Sequence, residues 1–158
     1  MTTYTLTEMS PDIRNRVGGE LQPLLFDLIA LGLQGKQAHW NVVGPFFQSV
    51  HAQLDQIVGD ARGWSDEVAE RMVTIGVSAS GQALNIAQQS SIDPLPEGTI
   101  TDKQAISFIC DRIGMVATRA RRAADSLGDS DLASQDLVLE ILRGLEKHLW
   151  MLRVQQQS

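Results

Sequence analysis

The chain has 158 residues, 43% of them hydrophobic and 20% charged, with a net charge of −6 and a single cysteine. That length suits one domain with a sizeable core. The acidic balance excludes a generally basic nucleic-acid binder and suits a surface that attracts cations, and the lone Cys110 excludes an internal disulfide and reads as a small buried apolar residue.

Residues 1–18 read as an N-terminal tail with a possible short helix from Ser10-Pro11, interrupted by Gly18-Gly19; residues 19–158 read as the domain. The start lacks the basic segment and apolar run of a signal peptide. No stretch approaches the roughly 18–20 apolar residues of a membrane span. A cytoplasmic protein with no membrane partner is expected. The first main helix is expected from about Glu20 to Val42, with Pro23 in its first turn. Leu24, Leu25, Leu28, Ile29, Leu31 and Leu33 supply its core side, and Gly32 and Gly35 admit a close neighbour. Gly44 and Pro45 mark a turn. Apolar residues at helical spacing then predict a second helix from Phe46 to about Ile75.

Gly76 to Gly81 breaks the pattern, Gln82 to Gln89 is a short helix candidate, and Ser90 to Gly98 is a linker within the domain. Thr101 and Gln104 fit a capping box that opens a third main helix, running to about Leu127. Gly128 ends it, and Asp129-Ser130-Asp131 opens the last helix, which runs to about Val154. So long a crossover between the second and third main helices makes them parallel neighbours. The sequence therefore predicts an all-α bundle.

The second helix carries the densest chemistry. His51 and Asp55 are four residues apart, as are Asp66 and Glu70, and His39 stands near the end of the preceding helix. Imidazole nitrogen and carboxylate oxygen together suit transition-metal ions. At about 100° per residue, Asp55, Asp66 and Glu70 lie about 40°, 60° and 100° around from His51, on one broad face. Asp55 and Asp66 are nonetheless roughly 16 Å apart along the axis. One helix alone carries two half-sites. Packed antiparallel against a copy of itself, with a two-fold axis near Asp60 and Ala61, it sets His51 opposite Glu70 and Asp55 opposite Asp66, because both pairs of residue numbers have the same total. The short turn lets His39 fold back onto the His/Asp half. The pattern alone leaves a solvated helix face with a capping histidine equally open.

These residues resemble the signature of the Dps family of ferritin-like mini-ferritins: His39-Trp40-Asn41, then His51, Asp55, and Asp66-Glu67-Val68-Ala69-Glu70-Arg71, with every spacing kept. The resemblance implies a ferritin-like four-helix bundle with a short extra helix in the crossover between main helices 2 and 3, assembled into a hollow dodecameric shell. It implies that His39, His51 and Asp55 of one subunit, with Asp66 and Glu70 of another, bind iron at an intersubunit site. There ferrous iron is oxidised by hydrogen peroxide or oxygen, and ferric mineral is stored inside. It adds to Trp40, otherwise a packing or interface residue, a role as electron donor. It places acidic residues such as Asp136 at pores that admit iron. Ordinary ferritins use Glu-x-x-His inside one subunit, and this chain contains no such motif.

An alternative is a nucleoid-compacting shell protein that coats DNA without iron oxidation. Residues 1–10 contain no lysine, and the last residues are nearly uncharged, so the cations that phosphate binding needs are lacking there. Arg119, Arg121 and Arg122 form a basic cluster read as a solvated face or as intersubunit ion pairs, in preference to a nucleic-acid contact. Trp64, one turn from the two-fold centre, is read as an interface residue, and His148 as structural or superficial.

Overall fold

A computed structural model describes residues 9–157. Residues 1–8 of the expected tail lie outside the described residues. The order of elements is α1 (Pro11–Asn41), β1 (Val42–Val43), α2 (Phe47–Thr74), α3 (Ala83–Gln89), β2 (Ile100–Thr101), α4 (Asp102–Leu127) and α5 (Leu132–Arg153), followed by a 3₁₀ turn, Val154–Gln156. Among the described residues no helix is long and apolar enough to cross a membrane.

α1 starts where the Ser10 hydroxyl accepts from the Ile13 N–H, with Pro11 in the first turn, where its missing N–H costs little. The helix then runs straight through Gly18-Gly19, so the expected interruption there is absent, and residues 11–18 are its opening turns rather than a separate short helix. Val17, Leu21, Leu24, Leu28 and Leu31 keep helical spacing across the glycines and are fully buried. Gly18 serves close approach instead: a Cβ there would sit 2.7 Å from Val77 Cγ1. Pro23 consequently lies inside the helix and not in its first turn. An interior proline crowds the residue four positions back. The group crowded here is the main-chain carbonyl of Gly19. Further along, Gly35 lets α2 close in, since a Cβ there would lie 2.7 Å from Val58 Cγ2.

α2 returns along α1, and α4 pairs with α5 in the same way. The crossover leads α4 to pack chiefly on α1 and α5, touching α2 only lightly, so α2 and α4 are not the close neighbours that a parallel crossover suggested. Buried Leu54, Ile57 and Met72 of α2, Ile109 and Ile113 of α4, and Ile141 of α5 complete the core. Each contributes about 1.5–3 kcal/mol by leaving water.

Polar clamps hold the crossover on this core. Buried Asp27 accepts from Ser90 Oγ (3.0 Å), Ser91 N–H (2.7 Å) and Ser91 Oγ (2.7 Å), and pairs with Arg119. Gln22 exchanges hydrogen bonds with the main chain of Ser80, at 2.8 and 2.9 Å. Arg112 donates to the carbonyls of Asp93 and Pro94, at 3.1 and 2.9 Å. Arg121, the second of the basic cluster, pairs with Glu146. The capping box of Thr101 and Gln104 forms as the sequence predicts.

Asp131 caps α5, accepting from the Ser134 N–H at 3.1 Å, and pairs with Arg71 at the end of α2 at 2.6 Å. Burial pushes this carboxyl up, but hydrogen bonds from Ser134 and the Arg71 guanidinium outweigh it and hold Asp131 below the ordinary carboxylate value. A depressed folded pKa stabilises above the unfolded value, near 3.9, and is lost as pH falls through the folded one. Asp131→Ala is expected to lower stability in urea by about 2 kcal/mol at pH 7. The gap between it and the wild type narrows below about pH 4.

Candidate metal centre

The site is built where α1 ends and α2 begins. Val42 and Val43 pair in parallel with Ile100 and Thr101, which ties the turn to the start of α4. Gly44 takes a φ of +133°, a conformation that side chains rarely adopt, and a Cβ there would fall 2.6 Å from Asp102 Oδ2. That buried carboxylate accepts from the Phe46 N–H at 2.8 Å and thereby fixes the entry into α2. His39, in the last turn of α1, and His51, in the first turns of α2, are brought face to face.

Their rings stack with centroids 3.6 Å apart and planes inclined by 19°. His39 Nδ1 lies 2.9 Å from the carbonyl of His51, and His51 Nδ1 lies 2.8 Å from the carbonyl of His39. A carbonyl only accepts, so each Nδ1 carries a proton and donates it. In the neutral imidazole the lone pair then resides on Nε2. Both residues are held in the tautomer that leaves Nε2 able to ligate, with the orienting partner supplied by the main chain.

Asp55, one turn beyond His51, has Oδ1 3.8 Å from His39 Nδ1 and in short contact with Lys36 Nζ. The Lys36 hydrogen bond holds its carboxyl below the ordinary value; slight burial opposes this, and His39 and His51 add smaller pulls downward. The ammonium sits against the carboxylate as a metal cation would. Phe47 lies against His51, with ring centroids 4.9 Å apart. Around the pair a patch of large apolar side chains faces outward: Trp40 is 70% and Phe46 62% exposed, and Val43 and Phe47 are also open.

Asp66 and Glu70 lie exposed further along α2. His51 and Asp66 are roughly 22 Å apart at 1.5 Å per residue. The chain thus brings together His39, His51 and Asp55 and leaves Asp66 and Glu70 apart from them. Among the described residues no group of three or more His, Cys, Asp and Glu within one chain is placed to hold a metal ion.

The other singled-out residues have structural work. Trp64 is half-buried and packs against α5: a Cβ on Gly144 would lie 2.3 Å from its Cζ2. It meets His148 edge to face, at 6.1 Å between centroids. His148 is buried, with Nε2 2.7 Å from Asp60 Oδ2. Cys110 is buried, and burial pushes its thiol up. The sequence reading missed Lys36, which stands one turn before His39 on the same helix face, and Asp102, whose role depends on a contact across the fold.

Helices of this order bearing a histidine–carboxylate half-site define a ferritin-like protein, and the ferritin-like domain family matches residues 19–157. The DNA protection during starvation protein of Mycolicibacterium smegmatis is 34% identical over 158 residues, covering all of this chain and 86% of that protein. DNA protection during starvation protein 2 of Deinococcus radiodurans is 33% identical over 138 residues, 87% of this chain; the match spans only 57% of that longer protein. The structure of Dps from Microbacterium arborescens, described as the high iron form, superposes with a TM-score of 0.91 at 32% identity, covering 94% of this chain and 97% of that one. The chain belongs to the Dps family of ferritin-like proteins.

Replacing Lys36 with Met removes the hydrogen bond that holds Asp55 down. The Asp55 carboxyl is expected to titrate higher, towards the ordinary value, in carbon-detected NMR. Long-range proton–nitrogen spectra at neutral pH are expected to show both imidazoles protonated at Nδ1.

Proposed function

We propose that two copies of the chain, related by a two-fold axis across α2, complete an iron-oxidation centre. His39, His51 and Asp55 come from one copy, and Asp66 and Glu70 from the other. The observation that carries this reading is the reciprocal hydrogen bonding of His39 and His51, which leaves both Nε2 lone pairs free to ligate, with Asp55 one helical turn beyond His51. A solvated helix face has no need of two histidines locked in one tautomer. The exposed Trp40, Val43, Phe46 and Phe47 around the half-site give a second copy an apolar surface to cover. The matching register of Asp66 and Glu70 supplies the missing carboxylates. The Microbacterium relative, described in a high iron form, has the same fold.

Iron is the substrate. Mixed imidazole and carboxylate ligation binds ferrous ion, and the carboxylates favour the ferric product. Two ferrous ions give one electron each to hydrogen peroxide; its O–O bond breaks, two protons are taken up, and two water molecules leave. No hydroxyl radical is released. Oxygen is a second oxidant for the same centre. Trp40, beside His39, supplies an electron when iron runs short. Ferric mineral collects inside a twelve-subunit shell in the cytoplasm. DNA is protected because iron and peroxide are consumed, so contact with DNA is not required.

Anaerobic ferrous iron followed by peroxide is the test, read by absorbance and by sizing of the product. The wild type is expected to form soluble ferric mineral within the assembly. His51→Ala and Asp66→Ala are each expected to lose more than about tenfold in rate. Wild-type oxidation at the background rate, with iron precipitating outside the protein, overturns the reading. A gel shift at low salt separates it from the DNA-coating alternative: a protein that binds DNA but turns over no iron supports the latter.

A further inference from the structure

We propose that Trp64, His148 and Asp60 form a proton-coupled redox triad between α2 and α5, in which Trp64 gives up an electron and His148 takes the proton that its indole then releases. Gly144 leaves a notch in α5 that Trp64 fills, since a Cβ there would fall 2.3 Å from Cζ2 and 2.9 Å from Cη2. Glycine is a poor residue for a helix interior, yet it stands where a larger side chain would push the indole out. Buried His148 meets that indole edge to face, with 6.1 Å between centroids and planes inclined by 63°.

The neighbour of His148 fixes its tautomer. Asp60 Oδ2 lies 2.7 Å from Nε2, and a carboxylate only accepts, so Nε2 donates. In the neutral ring Nδ1 then carries a lone pair, and this buried atom has no hydrogen-bond partner among the described residues. Leaving a buried acceptor unmet is costly, and packing against an indole does not require it, because a phenyl ring would fill the same space. A base with no donor in the ground state has a use when its neighbour becomes an acid. An indole that loses an electron does so, since its Nε1–H turns strongly acidic. Asp60 behind the imidazole stabilises the imidazolium that forms. The three side chains line a groove of about 820 Å³, whose other charged groups are Glu140, Arg143 and Lys147 of α5. One water in that groove is enough to carry the proton from ring to ring.

The role in catalysis rests on the iron centre proposed above. Trp64 stands two residues before Asp66, about 3 Å of helix rise. When a single ferrous ion meets hydrogen peroxide at a site, iron supplies one electron and Trp64 the other. The O–O bond breaks, two protons are taken up from solvent, and two water molecules leave. The indole proton moves to His148 Nδ1. The next ferrous ion returns the electron to Trp64, and His148 returns the proton. Trp40 differs, because it is exposed and no ring contact joins it to a histidine among the described residues.

Two measurements test the triad. In iron-free protein, a photogenerated ruthenium(III) complex removes one electron from tryptophan, and transient absorption follows the indole cation radical as it loses its proton. The wild type is expected to show a deprotonation phase about tenfold or more faster than that of the exposed Trp40 and Trp150. Trp64→Phe and His148→Phe are each expected to lose this phase and Asp60→Asn to slow it, all with native helicity by circular dichroism. In assembled protein given one ferrous ion per site, Trp64→Phe is expected to raise the ferrous ions consumed per peroxide towards two. The proposal is overturned if the fast phase is missing from the wild type or survives in either phenylalanine variant. It is also overturned if Trp64→Phe leaves the ratio of iron to peroxide at the wild-type value. The first measurement contains no iron, so failure of the triad and failure of the iron centre give different results.

Discussion

Two histidines, each donating Nδ1–H to the other's main-chain carbonyl, are the interaction on which the site depends. The exchange needs the end of α1 and the start of α2 to run side by side at stacking distance. It links the orientation of the rings to the backbone of the turn and not to mobile side chains. Everything that shapes this turn therefore shapes how the two rings are presented. Gly44 supplies a left-handed residue, Asp102 holds the Phe46 N–H, and the two-residue β1–β2 pairing ties the turn to α4. A four-helix bundle offers a stiff frame for such an arrangement, because interhelical packing leaves little room for adjustment.

The electrostatics follow the same economy. Asp55 is the half-site's only carboxylate, and in the single chain its charge is met by Lys36. An ammonium there keeps the carboxylate ionised without bringing in a further acidic ligand. A two-fold partner that adds two more carboxylates raises the negative charge of the site, and a divalent ion answers that charge better than one lysine does. In the proposed shared site, dividing the ligands between copies would couple metal binding to association, so that each would support the other.

The helices, the capping box at Thr101, the cap at Asp131 and the proximity of His39, His51 and Asp55 were legible because each depends on residues close in sequence. Gly18-Gly19 was misread for a physical reason. Glycine lowers helix propensity, but here it serves close packing against Val77, and the buried apolar stripe overrides propensity. The long crossover correctly indicated helix direction, yet direction does not determine adjacency, and α4 settles against α1 rather than α2. Lys36 and Asp102 act on partners 19 and 56 residues away. Contacts of that kind leave no periodic trace. Trp64 and His148 were harder still, since their pairing with Gly144 and Asp60 exists only once α2 and α5 are packed.

The central claim is that each iron site is shared between two chains, and complementation tests it most directly. His51→Ala and Glu70→Ala chains are unfolded together, refolded as a mixture, and assayed for peroxide-driven iron oxidation against each variant refolded alone. In a shared site, a mixed two-fold pair has one centre with every ligand and one lacking two. Random pairing then restores about a quarter of the wild-type rate. A mixture no more active than its two components contradicts the shared site and places all of the ligands within a single chain.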